Sequence, residues 1–199
     1  MLEELQQDTF SQFGEDKWLV DNVELPAKGF YVDVGAGNPI NLSNSYLFEK
    51  LGWNGLLIDA DPRNFDLLLS NRTWPSFFSV VGAFDGFVTF YMNNDTPDIS
   101  RVQASGANEK PLVMPVFKLD TILNLFGVTT VDILSIDIEG DELAVLAQYD
   151  FGRRAPRIVI CEFNTSGQVL HEKETLEFFT ARGYQMIHST EANFIFIKV

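Results

Sequence analysis

Short apolar runs recur along this chain, each closed by an acid or a glycine, and stretches of helical period separate them. Phe30-Tyr31-Val32-Asp33-Val34 stops at Gly35, and Leu56-Leu57-Ile58 stops at Asp59. Residues 131–136 run into Asp137, and residues 157–161 run into Glu162. None of these runs shows the polar alternation of a half-solvated strand, so each reads as a strand covered on both faces. Residues 44–51 follow with Leu47, Phe48 and Leu51 at helical spacing and Gly52 as a stop. Asp61-Pro62 reads as an N-cap and first-turn proline, with Phe65, Leu68 and Leu69 as the inner stripe of the next helix. Residues 77–81, 87–92 and 114–117 are expected strands; 119–126, 142–148 and 175–182 are expected helices. Strands alternating with helices imply an α/β fold with a mainly parallel sheet. Residues 184–188 and 194–199 look like a closing antiparallel pair at its edge.

A sheet covered on both faces needs enough apolar residues to cover it. Of 199 residues, 46% are hydrophobic, which suits a packed core and one domain spanning 1–199. Within it, 1–28 is expected to form an N-terminal helical segment. Residues 93–113 form a polar, turn-rich stretch that suits a loop over an acceptor. Its only cations, Arg101 and Lys110, are more simply read as solvated charges than as an anion site. The chain carries 28 acids against 14 bases, a net charge of -14. That balance argues against nucleic acid, whose backbone recruits Lys and Arg, and against anionic membrane surfaces. No apolar run approaches the roughly 20 residues of a membrane span. One cysteine, Cys161, permits no internal disulfide and reads as a buried strand residue. With a polar, acidic start in place of a leader, the expected location is cytoplasmic. The triplets beginning at Asn41, Asn71 and Asn164 are then chance matches to a glycosylation pattern.

Ligands of such sheets bind at the carboxyl ends of the strands. The first strand leads into Asp33-Val34-Gly35-Ala36-Gly37-Asn38, where two glycines make a tight turn that backbone or ligand can approach closely. The third small residue of a dinucleotide fingerprint is missing; Pro39-Ile40 stands there, which disfavours a diphosphate. Asp59, one βαβ step later, suits the two hydroxyls of a ribose. A glycine pair with an acid at this spacing indicates a nucleoside-bearing ligand, and the absent fingerprint favours S-adenosylmethionine over NAD. Asp137 and Glu139 fall on one side at the next strand end, with Glu162 beside them. Carboxylates gathered at a sheet mouth must be solvated, paired or metal-bound. Of the two histidines, His188 ends a strand and reads as structural; His171, in a loop, is a weaker candidate base.

These residues together resemble the FkbM family of S-adenosylmethionine-dependent methyltransferases. The resemblance runs through Ser11-Gln12-Phe13-Gly14-Glu15-Asp16, Gly29 to Gly37, Leu42-Ser43-Asn44-Ser45, Gly52-Trp53-Asn54-Gly55, Ile58-Asp59-Ala60-Asp61-Pro62, Leu119-Asp120-Thr121 and Ile136-Asp137-Ile138-Glu139-Gly140-Asp141-Glu142. It implies a Rossmann-like class I methyltransferase fold, a seven-stranded, mainly parallel sheet with an antiparallel last strand. It places the donor on Gln12, Asp33, Gly35, Ala36, Gly37, Asn38, Asn44, Asp59 and Ala60, with Gly82, Ala83 and Phe84 beside the adenine. The usual activity is O-methylation of a sugar, polyketide or similar hydroxyl, which makes a small-molecule or glycan acceptor the expected partner. Ser135 stands where relatives often carry lysine. For the acceptor proton, Asp137, Glu139 or Glu162 serves as base, or the three position a divalent metal such as Mg2+. An NAD-dependent oxidoreductase and a non-catalytic nucleoside-binding module on the same fold are the competing readings.

Overall fold

The computed structural model describes residues 9–103, 108–165, 168–169 and 172–199. In chain order the elements begin with α1 (Glu15–Asn22), β1 (Phe30–Val34), α2 (Tyr46–Lys50), β2 (Asn54–Asp59) and α3 (Pro62–Asn71). There follow β3 (Ser76–Phe78), β4 (Val80–Val81), β5 (Gly86–Asn93), a single 3-10 turn (Pro97–Ile99) and β6 (Glu109–Phe117). The second half holds α4 (Leu119–Leu125), β7 (Ile133–Ile136), α5 (Glu142–Leu146), β8 (Ile158–Glu162), β9 (Asn164–Thr165), β10 (Gln168–Val169), α6 (Glu172–Thr180), β11 (Tyr184–Ser189) and β12 (Asn193–Lys198).

Seven strands form the central sheet in the order β11-β12-β8-β7-β1-β2-β3, and β4-β6-β5 form a small second sheet. The pairs β1–β2, β1–β7, β7–β8 and β2–β3 are parallel; β12 runs antiparallel to both β8 and β11. The expected α/β fold with an antiparallel last strand is therefore present. The closing pair is not simply added at the edge: β12 is inserted between β8 and β11. Its run Asn193 to Phe196 is wholly buried, as an interior strand requires, and the more exposed β11 forms the edge.

Strand alternation divides the core between the two faces of the sheet. Val32, Val34, Leu56, Ile58, Leu134 and Val159 pack with α4, α5 and α6 on one side. Tyr31, Leu57, Ile133, Ile160 and Ile195 pack with Leu19, Phe48 and Leu68 from α1, α2 and α3 on the other. His188 belongs to this second layer, its ring stacked on Trp18 at 4.3 Å.

Three local expectations are corrected. Residues 77–81 are two strands, because Ser79 carries the chain from one sheet to the other. Its N–H donates to the Asp59 carbonyl, and its Oγ donates to the Val80 and Pro115 carbonyls. The strand read at 114–117 begins at Glu109; Pro111 and Pro115 mask it in the sequence, but it pairs with β5 over eight positions. The buried residues of α3 are Asn64 and Leu68, with Phe65 half-buried against Phe78, whereas Leu69 is 59% exposed. Among the described residues no helix is long and apolar enough to cross a membrane.

Candidate active site

The carboxyl ends of β1, β2 and β7 open into a cavity of about 440 Å³, within the range of small-molecule sites. Its floor is the turn after β1. Gly35 has φ 76°, and a Cβ built on it would lie 1.7 Å from the Asp137 carbonyl oxygen. Only glycine lets the backbone after β7 come so close. The turn is then tied to the next strand end: the Gly37 N–H donates to Asp59 Oδ2 at 2.8 Å, and the Asp61 N–H donates to Asp59 Oδ1 at 2.8 Å. Asp59 is buried, and that burial pushes its carboxyl up to about 7 against the pull of those two amides, with Asp61 and Asp98 adding repulsion. A carboxylate has about four acceptor positions. Two are spent on the backbone, so Asp59 can still receive two hydroxyls.

Gln12, Gly35, Ala36, Gly37, Asn38, Asp59, Ala60, Gly82, Ala83 and Phe84 all line the cavity, as do Asp137 and Glu139. Asp33 and Asn44 do not. Alternation turns Asp33 to the Tyr31 face, where burial raises its carboxyl while Ser45, Arg72 and Ser135 favour its charge. Asn44 Nδ2 donates to Ser135 Oγ at 3.2 Å, in the same polar layer beneath the turn. Arg72 closes that layer, donating to the Pro39 carbonyl, Tyr31 Oη, Ser45 Oγ and Glu49 Oε2. Ser135 thus holds Asn44 and does not face the acceptor side. His171 lies outside the described residues.

Several lining residues were not singled out in the sequence. Asp98 stands over the glycine turn, 3.2 Å from where a Gly37 Cβ would be, and accepts from Asn64 Nδ2 at 3.0 Å. Ser100 Oγ donates to Asp61 Oδ2, and Arg63 grips the same carboxylate while donating to the Asn93 and Asn94 carbonyls. Part of the expected acceptor loop, 96–103, is therefore fastened to α3 across the cavity mouth. The polar first turn Pro62-Arg63-Asn64 was the only sequence signal for it. The Gln12 segment is placed by its own acids. Asp16 accepts from Thr9, the Phe10 N–H and Ser11; Glu15 accepts from Thr190 and Asn193.

Beyond the cavity the carboxylates gather. One oxygen each of Asp137, Glu139 and Glu162 lies within 4.8 Å of the others. Glu139 reaches this place through a left-handed backbone, φ 61°, a conformation a side-chain-bearing residue holds only where its surroundings impose it. Glu142 supports the turn by accepting from the Ile138 and Gly140 N–H groups. Burial raises the carboxyls of Asp137, Glu139 and Glu162; repulsion from neighbouring acids, Glu142 among them, adds to the rise, while Arg101 opposes it at Glu139. The carboxyls of Asp137 and Glu162 lie close enough for each to act on the other's titration. Glu162 itself faces a second hollow of about 190 Å³, lined also by Leu143, Phe163 and Thr175. Cys161 is buried beside it, with its thiol held protonated by burial.

A glycine turn and acid at adjacent strand ends, beside a carboxylate cluster, form the layout that the sequence led one to expect. Comparison with protein families decides its parentage: the model of the methyltransferase FkbM domain matches residues 33–186. The chain belongs to the FkbM methyltransferase family. The match spans every strand end described above, from Asp33 to Glu162. Comparison with curated proteins and with solved structures gave no match. Membership of the FkbM methyltransferase family implies a donor of the S-adenosylmethionine type.

Proposed function

We propose that this FkbM methyltransferase moves the methyl group of S-adenosylmethionine to a hydroxyl of a sugar, a glycan or another small natural-product-like acceptor. The observation that carries the reading is the shared wall at Asp137. Its backbone carbonyl abuts the glycine turn, while its carboxyl belongs to the acid cluster. A donor on the turn and an acceptor at the cluster would thus meet at one residue. Gly35, Ala36, Gly37, Asn38 and Gln12 bound the donor's aminoacyl and ribose end; Asp59 takes the ribose hydroxyls; Ala60, Gly82, Ala83 and Phe84 flank the adenine. Asp33 and Asn44 act from beneath, holding the turn in shape. Asp59, Asp61, Asp98, Asp137, Glu139 and Asp141 around the cavity suit a cationic sulfonium.

The donor already carries its leaving group, so the protein's work is alignment and exclusion of water. The acceptor oxygen forms a bond to the methyl carbon as the carbon–sulfur bond breaks. Its electron pair passes to sulfur, leaving a neutral thioether. The hydroxyl proton goes to the Asp137–Glu139–Glu162 cluster. The test is a transfer assay with methyl-labelled S-adenosylmethionine over a panel of sugar and glycan acceptors, beside calorimetry with S-adenosylhomocysteine and with NAD. Label found on an acceptor oxygen, and binding of S-adenosylhomocysteine alone, is the expected result. Binding of NAD in its place would make the chain an oxidoreductase, and donor binding without transfer would make it a binding module. Asp137→Asn is expected to lower turnover at least about 100-fold with donor affinity kept.

A further inference from the structure

We propose that Asp137, Glu139 and Glu162 form a binding site for one hard divalent cation, Mg2+ or Mn2+, in the wall between the large cavity and the smaller hollow. Three acids alone would not carry this. Two further features point to a ligand. Glu162 is only 7% exposed, yet its Oε2 reaches no hydrogen-bond partner; Glu139 Oε2 is likewise buried and unpartnered. A buried carboxylate oxygen left without a donor is costly, and among the described residues no ion pair reaches Glu162. The neighbouring acid cannot help, because Glu142 is already committed to the Ile138 and Gly140 amides.

The spacing suits an ion. Opposite oxygens across a Mg2+, Mn2+ or Ca2+ ion stand about 4–5 Å apart. The three carboxylate oxygens lie within 4.8 Å of one another, so they reach an ion with small side-chain adjustments. All three donors are oxygens, which selects hard cations over Zn2+ or Cu2+; the nearby Cys161 sulfur is not among them. Three protein oxygens leave positions for water and for one acceptor oxygen. A cation there would polarise an acceptor hydroxyl bound to it. That role rests on the methyl-transfer reading; the binding of the ion does not.

The test is calorimetric titration of the purified chain with MnCl2, alone and with S-adenosylhomocysteine, with Mn2+ paramagnetic resonance as an independent readout. The expected result is one saturable ion per chain, weakened at least about tenfold in Glu162→Gln and in Asp137→Asn and unchanged in Asp21→Asn, a surface acid. Circular dichroism checks the fold of each variant; should Glu162→Gln not fold, the half-buried Glu139→Gln carries the same expectation. No saturable binding at millimolar Mn2+, or equal binding by the wild type and all cluster variants, overturns the site. Mn2+ binding without S-adenosylhomocysteine binding would keep the site and sink the methyl-transfer reading. The converse result would sink the site alone.

Discussion

Asp59 has to hold a charge where burial resists one. Its carboxyl, pushed up to about 7, is faced by Asp61 and Asp98, while Arg63 is engaged with Asp61 rather than with Asp59. If the charged form receives the ribose, S-adenosylhomocysteine should bind more tightly as the pH rises. The ionised fraction grows roughly tenfold from pH 6 to pH 8 for a group titrating near 7. Calorimetry should show a gain of that size in the wild type, while Asp59→Asn should bind weakly and without the slope. The unliganded chain should respond in the opposite sense. A carboxyl raised above its unfolded value of 3.8 stabilises the fold fully below that value and loses the contribution as the pH climbs towards 7. Urea unfolding of the wild type against Asp59→Asn should therefore diverge between pH 4 and 7, by at most about 4 kcal/mol for a shift of roughly three units. Gly35→Ala should be worse than any acid variant. Its methyl would have to displace the Asp137 carbonyl and adopt a left-handed backbone, so a loss of at least about 2 kcal/mol is expected in the same assay.

Elements show why some of this was legible in the sequence and some was not. β1, β2, β7 and β8 could be read because a strand buried on both faces must be apolar throughout, and because an acid directly after such a strand is conspicuous. Asp59, Asp137 and Glu162 were found that way. What escaped depends on approach in space. The break at Ser79 is set by a hydrogen bond to the Asp59 carbonyl, and β6 by its pairing with β5 across two prolines. Asn64 and Asp98 meet only after α3 and the loop at 96–103 are in place. Asp33 was placed against the donor through its neighbours in the motif, but alternation sends its side chain to the other face. There Arg72, fully buried and 2.7 Å from Glu49, joins α3 to α2 and to the turn after β1. Arg72→Met would remove the counter-charge of Glu49, leaving its carboxylate only the Tyr31 hydroxyl and the Thr73 N–H. A cost of about 3–5 kcal/mol is expected in denaturant unfolding, with Lys unable to restore more than part of it.

Across the whole molecule, a charge of -14 acts against compaction, and six of the acids line the cavity at the sheet mouth. Sodium chloride should accordingly raise the melting temperature between about 0.01 and 0.3 M, as screening shortens the reach of that repulsion from about 30 Å to under 10 Å. The buried Arg72–Glu49 and Arg154–Asp120 pairs should be nearly indifferent to it. Screening at long range does not reach the contact where the backbone after β7 lies against Gly35 with no side chain between. The cavity floor is built by the first third of the chain, and the carboxylates by the stretch from Asp137 to Glu162. The two segments are therefore not interchangeable parts. A chimera that took its β1 turn from a relative with alanine at position 35 would keep both sets of residues and lose their registration, so recombination between such relatives should succeed only when both segments come from the same parent.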